Sequence, residues 1–145
     1  MNFKYSEYIE SLKAECPPSS YIPQERTAYR FVFQSGHPKA NTSFLPVLLI
    51  NPQRRLKPDT PNTRCMGYAL SLFDTQENAQ KRYRSLKKKN KNIGKVMGDQ
   101  VARGIINKND GLASEVDKNG HFSLHESQEA NLEKKFQIVC SLIEK

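Results

Sequence analysis

The stretch KNGHFSLHESQE, residues 118 to 129, holds two of the three histidines of the chain, His121 and His125, with Glu126 directly after the second. Imidazoles serve as metal ligands and as acid–base groups near neutral pH, and a neighbouring carboxylate suits either role. The preceding DKNG turn and the alternation of Phe122 and Leu124 with polar residues predict a strand. Residues four apart on a strand are separated by about 13 Å. Zn–N bonds are only about 2.0–2.1 Å, so His121 and His125 cannot share one zinc from a regular strand. No metal ion and no cofactor is expected. The strand instead sends Phe122 and Leu124 to the core and His121, Ser123 and His125 the other way, to solvent. Glu126 falls on the core side, where the strand ends.

Two further polar residues lie on elements able to hold them still. Arg30 sits in TAYRFVFQ, residues 27–34, an aromatic and β-branched strand pattern, and Ser71 sits near the end of CMGYALSLF, residues 65–73. Arg30, Ser71, His121 and Glu126 are the catalytic candidates of an enzyme reading, a small toxin-like effector acting on nucleotide or RNA. The order Arg, Ser, Glu on successive strands resembles that of ADP-ribosyltransferases. The resemblance implies that Arg30 holds a phosphate, Ser71 orders the site and Glu126 stabilises an oxocarbenium-like charge. It covers these three residues only. Leu124 stands where many such enzymes carry the first residue of a Glu-x-Glu or Gln-x-Glu pair. The third histidine, His37, lies in the turn-like SGHPK, which lacks phosphate-loop spacing, and no G-x-G-x-x-G, H-E-x-x-H or G-x-S-x-G pattern occurs.

The strongest chemical signal is charge. The net charge is +8, and residues 74–95 alone hold eight basic and two acidic side chains, net +6. On a helix Lys81, Arg84, Lys88 and Lys91 fall near one line, because they are three or four apart, with Arg82 and Lys89 beside them and Lys87 in the same run. Like charges at this spacing repel, and a negative partner relieves the repulsion. Phosphate backbones do so while releasing counterions. The leading expectation is therefore a small basic domain that docks on nucleic acid or an acidic protein through the 81–95 helix. Arg54 and Arg55 in the 51–64 loop, with Lys57 and Arg64, would extend the patch. Only Tyr83 interrupts the run with an aromatic, so phosphate contact is expected rather than base stacking. A solvated lysine-rich helix serving solubility alone, and a structural subunit of a larger assembly, are the competing readings.

These residues need a scaffold. At 145 residues the chain fits one domain. Helical spacing of Phe3, Tyr5, Tyr8, Ile9 and Leu12 predicts a helix over 3–15, stopped by Pro17 and Pro18. A strand is expected over 44–50, a long proline-marked loop over 51–64, a strand over 65–73, and a helix over 74–90 capped by Asp74. Residues 93–98 read as a further strand, 99–106 as either helix or strand, and LASEV with HFSLHE as a hairpin. A helix over 129–144 competes with a strand over FQIVCSLI. The fold class is α+β: a mixed or antiparallel sheet of four to six strands flanked by two or three helices.

The longest apolar run is VLLI, far short of the roughly 18 residues of a membrane span. The N-terminal stretch MNFKYSEYIE is charged, so no signal peptide is expected. Cys16, Cys65 and Cys140 are odd in number and show no metal-ligand spacing, which predicts three reduced thiols in a cytoplasmic protein.

Overall fold

The structure is a computed structural model and describes residues 1–143. Its centre is a six-stranded, wholly antiparallel sheet. The strands are β1 (Arg26–Val32), β2 (Leu70–Phe73), β3 (Gln100–Ile106), β4 (Gly111–Ala113), β5 (His121–Glu126) and β6 (Gln137–Ser141), in spatial order β4-β5-β2-β1-β3-β6. Among the described residues six short or medium α-helices surround it: α1 (Ser6–Ile9), α2 (Val47–Ile50), α3 (Pro61–Gly67), α4 (Gln76–Lys89), α5 (Ile93–Met97) and α6 (Leu132–Lys135). The α+β class and the antiparallel sheet agree with the sequence. No described helix is long and apolar enough to cross a membrane.

The register shows what each face does. Tyr29 pairs with Phe73, Phe73 with His121, Phe31 with Val101. Paired residues share a face, so these side chains point one way, and α4 covers them with Ala79 and Tyr83. Ala28, Leu70, Leu72, Phe122 and Leu124 point the other way and pack under Leu132 and Phe136. Each fully buried Leu or Phe contributes about 1.5–3 kcal/mol, so this second face is the larger source of stability. A third apolar cluster, Ile9, Leu48 and Tyr68, ties α1, α2 and the end of α3 together.

Several expected elements differ. The 3–15 helix shrinks to one turn, α1, because the backbone of its start is drawn to the end of β5: Phe3 bridges Ser127 and the Lys4 N–H donates to the Glu126 carbonyl at 3.1 Å. The apolar run at 44–50 forms a helical turn, α2, begun after Pro46, and buries Leu48. Only Leu70–Phe73 of the expected 65–73 strand is extended. Its first three residues belong to α3, which starts inside the supposed loop with Pro61 at its first position and a Thr60–Thr63 capping box. Gly67 ends that helix hard against Leu48; a Cβ there would lie 2.5 Å from the Leu48 side chain. Of residues 93–98, Ile93–Met97 are helical rather than extended. The cap of α4 is Thr75, whose side chain accepts the Asn78 N–H, while Asp74 accepts from the Asn78 amide instead. At the C-terminal end the strand alternative prevails: α6 is a single turn and β6 pairs with β3. Glu144 of the expected 129–144 helix lies outside the described residues.

The cysteine expectation is overturned. Cys16 and Cys65, 49 residues apart in sequence, form a disulfide, leaving Cys140 as the free thiol. Sequence separation hid the pair, since the α3 turn and the coil after α1 meet only in the folded chain.

Candidate functional site

The basic segment is built by two helices. α4 ends at Lys89 because Asn90 takes up extended backbone, φ −145° and ψ 104°. The chain then turns into α5, so Lys91 and Lys95 do not continue the α4 line. They fold back instead. Lys87, Lys91 and Lys95 line one open cavity of about 240 Å³, together with His37, Phe33 and Tyr83; Asp99 also borders it. Gly94 permits this closure: a Cβ at that position would sit 2.7 Å from the Tyr83 hydroxyl. The His37 ring stacks on Phe33 with centroids 4.7 Å apart, and its Nδ1 accepts the Lys39 N–H at 2.9 Å. An accepting Nδ1 leaves the proton on Nε2, a donor at the cavity wall. Lys39 Nζ donates to the Lys95 carbonyl at 3.2 Å, adding a further cation to the rim.

Lys81, Arg84, Lys88 and Lys89 are exposed on the outer side of α4, opposite the buried Ala79 and Tyr83. The lysine and arginine ion pairs among the described residues join Lys4 to Glu126, Arg64 to Asp59 and Lys135 to Asp110. None neutralises a cation of α4 or α5. Arg54, Arg55 and Lys57 are exposed as well, but their loop is anchored elsewhere, with Leu56 packed on the Leu48 cluster. Arg64 stitches that loop shut by donating to the Pro52 carbonyl at 3.0 Å and to Asp59.

The residues of the enzyme reading separate into two pairs on opposite faces. Ser71 and His121 lie on the α4 face, and the Ser71 hydroxyl is hydrogen-bonded to His121 Nε2. Asp117, which sequence reasoning missed, stands 3.9 Å from His121 Nδ1 and accepts the backbone N–H of both Asn119 and His121. Those N–H groups hold its carboxyl below the usual range. Burial lowers the His121 imidazole, so the neutral ring is the resting form at pH 7. The signal for Asp117 was present as the Asp-x-x-Gly turn before β5.

Arg30 and Glu126 lie on the other face. Arg30 is half-buried and spends its guanidinium on carbonyls: Nε donates to Ser43 at 2.7 Å, one terminal nitrogen to Ser71 at 2.9 Å, the other to Leu45 at 3.2 Å. β1 and β2 pair at a single register position, Tyr29 with Phe73, and beyond it the strands part and Arg30 fills the gap. Burial brings its pKa down to about 10, still charged at neutral pH. Glu126 is buried at 2% exposure, against the solvated strand end that its position suggested. Lys4 Nζ donates to its Oε2 at 2.7 Å, while Oε1 is buried without a partner. Burial raises its carboxyl, countered in part by Lys4 and Arg30. Beside it lies a cavity of about 140 Å³ lined by Tyr5, Asn41, Asn131 and Glu133, and burial with Glu126 pushes the Tyr5 phenol up to about 12.

His125 is also buried, at 2%, where solvent exposure was expected. Cys16, in the coil after α1, and Cys65 of α3 lie against its ring, and the Tyr21 ring is 5.7 Å away. Compared with models of known protein families, with curated proteins and with solved structures, the chain matches none of them, so its sites are read from their own geometry.

Proposed function

We propose that the protein binds polyanions, nucleic acid foremost, through the α4–α5 face. The observation that carries this is the convergence of Lys87, Lys91 and Lys95 on one cavity, beside an outer ridge of cations that no carboxylate neutralises among the described residues. A solvated helix serving solubility has no need to fold its last lysines back around a concave wall. The cavity suits one phosphate group seated among ammonium groups and the His37 donor, and the ridge suits its neighbours along a backbone. Contacts of this kind read no bases. Affinity should fall linearly in log–log form with salt, by about 0.9 in slope per phosphate contacted on duplex DNA.

The test is fluorescence anisotropy with labelled RNA and duplex DNA across a salt series. Lys87→Glu, Lys88→Glu and Lys91→Glu combined should abolish binding at physiological salt, whereas Arg54→Glu with Arg55→Glu reports separately on the loop. Unchanged affinity in the triple variant would end the proposal; binding of acidic polypeptide but of neither nucleic acid would transfer the face to a protein partner.

A catalytic reading has one specific observation behind it, the Ser71–His121–Asp117 chain. In that reading neutral His121 takes a proton from Ser71 or from a bound hydroxyl, and the substrate is the nucleotide or RNA held by the basic face. Wild type, Ser71→Ala and His121→Ala incubated with RNA or nucleotide discriminate: turnover lost in both variants supports it, and equal product in all three removes it.

A further inference from the structure

Cys16, Cys65 and His125 come from three distant parts of the chain and present their ligand atoms to one another within 4.8 Å. His125 Nε2 lies 3.5 Å from the Cys65 sulfur and 3.8 Å from the Cys16 sulfur. We propose that this cluster is a redox-gated zinc site: closed as the disulfide, and able to bind one Zn²⁺ through two thiolates and one imidazole once the disulfide is reduced.

The geometry is the first argument. Around a tetrahedral zinc, with Zn–S near 2.3 Å and Zn–N near 2.0–2.1 Å, neighbouring ligand atoms are about 3.5–3.8 Å apart. Both nitrogen–sulfur edges already have that length. Only the sulfur–sulfur edge must open, and cutting the bond allows it. The chemistry of the donors is the second argument. Two thiolates and an imidazole are a soft-to-borderline set that selects zinc over magnesium or calcium. Three protein ligands leave a fourth position for water, the arrangement of catalytic rather than closed structural zinc.

A simple thiol–disulfide enzyme fits less well. A reactive thiolate is favoured by an adjacent cation and by access, and Cys65 and His125 are buried at 1% and 2% exposure. A neutral imidazole with a free lone pair is a poor partner for a lone thiolate and a good ligand for a metal.

The opening step balances with a dithiol as reductant. One of its thiolates attacks the sulfur of Cys16, the less buried partner, and Cys65 leaves as thiolate and takes up a proton. The second thiol of the reductant then closes its own disulfide and releases Cys16. Two electrons and two protons pass to the protein, giving two thiols. Zinc binding next expels both thiol protons, while His125 joins as the neutral ring.

The experiment uses the full chain carrying Cys140→Ser, so that no third thiol competes. Zn²⁺ is titrated into the oxidised and the dithiol-reduced protein against a chromogenic chelator, with the reductant removed before titration. One equivalent should bind to the reduced chain and none to the oxidised. His125→Gln should weaken binding by roughly 100-fold or more, since even outer-shell partners of zinc ligands cost 10–100-fold. Co²⁺ in place of zinc should show thiolate charge-transfer bands and the visible bands of a tetrahedral ion. Far-UV circular dichroism follows the fold throughout. If reduction unfolds the chain, recovery of the native spectrum on adding zinc supports the site. Absent zinc binding, equal binding by His125→Gln, or cobalt spectra without sulfur bands each overturns it.

Discussion

Strand β5 buries His125 and Glu126 to 2% exposure each, whereas helix α4 leaves Lys81, Arg84, Lys88 and Lys89 in solvent with no ion pair among the described residues. Both segments are rich in ionisable groups. β5 must meet the desolvation of each one, through Lys4 for Glu126 and through neutrality for His125. α4 leaves its charges to water, and the lysines and arginines three and four apart along it repel one another. Buried charge is therefore tied to the fold, exposed charge is open to the partner proposed above, and substitutions should separate the two.

The largest effect is expected where one charged side chain is most heavily used within the fold. Arg30→Met removes the donors to three carbonyls, those of Ser43, Leu45 and Ser71. Leaving such carbonyls without a donor costs about 1–3 kcal/mol, measurable as a fall in the urea midpoint at constant slope. Arg30→Lys should recover little, since an ammonium cannot span three acceptors in the same fork. A loss below about 1 kcal/mol would show that Arg30 is not a clamp, and would return it to the list of ligand-binding groups.

The pH dependence sharpens the same contrast. His125 is lowered from 6.5 to about 4 in the folded protein, so below pH 6.5 the unfolded chain binds the extra proton first. Stability should then fall as pH drops from about 6.5 to about 4, by up to roughly 3 kcal/mol. His125→Gln should flatten this limb. Glu126 acts with the opposite sign: its raised carboxyl favours the protonated form in the fold, so its contribution is present at low pH and lost as pH rises through its folded value. Comparing His125→Gln with Glu126→Gln in the same titration isolates each. An acid limb untouched by His125→Gln would mean that this ring is not the buried neutral group.

The same contrast explains what could be seen in the sequence. α4 was legible because its stripe of Ala79, Tyr83 and Leu86 and its charges are local, and the hairpin strands β4 and β5 were legible through their turn. The fates of His125 and Glu126 were not. Their burial depends on Lys4, 122 residues from Glu126, and on Cys16, 109 residues from His125. A period-2 pattern tells which side a residue faces and not whether that side is covered. α2 and α5 are a turn each, too short for periodicity to show. α3 carries its signal in Thr60-Pro61, a cap followed by proline, which the surrounding prolines mask as loop.

The smallest stability effect is expected on the exposed ridge. Neutralising Lys81, Arg84 and Lys88 to Gln removes like-charge neighbours three and four residues apart, each pair destabilising a helix by about 0.2–0.5 kcal/mol. Stability at low salt should rise by a few tenths of a kcal/mol or stay level, and the gain should vanish in 1 M salt, where the screening length is about 3 Å. Nucleic-acid affinity should fall in the same variant. A stability loss above about 1 kcal/mol would instead mean that these side chains hold the fold together through their stems. In that case their lack of acidic partners would say nothing of an external anion, and the distinction between the two regions would fail at its simpler end.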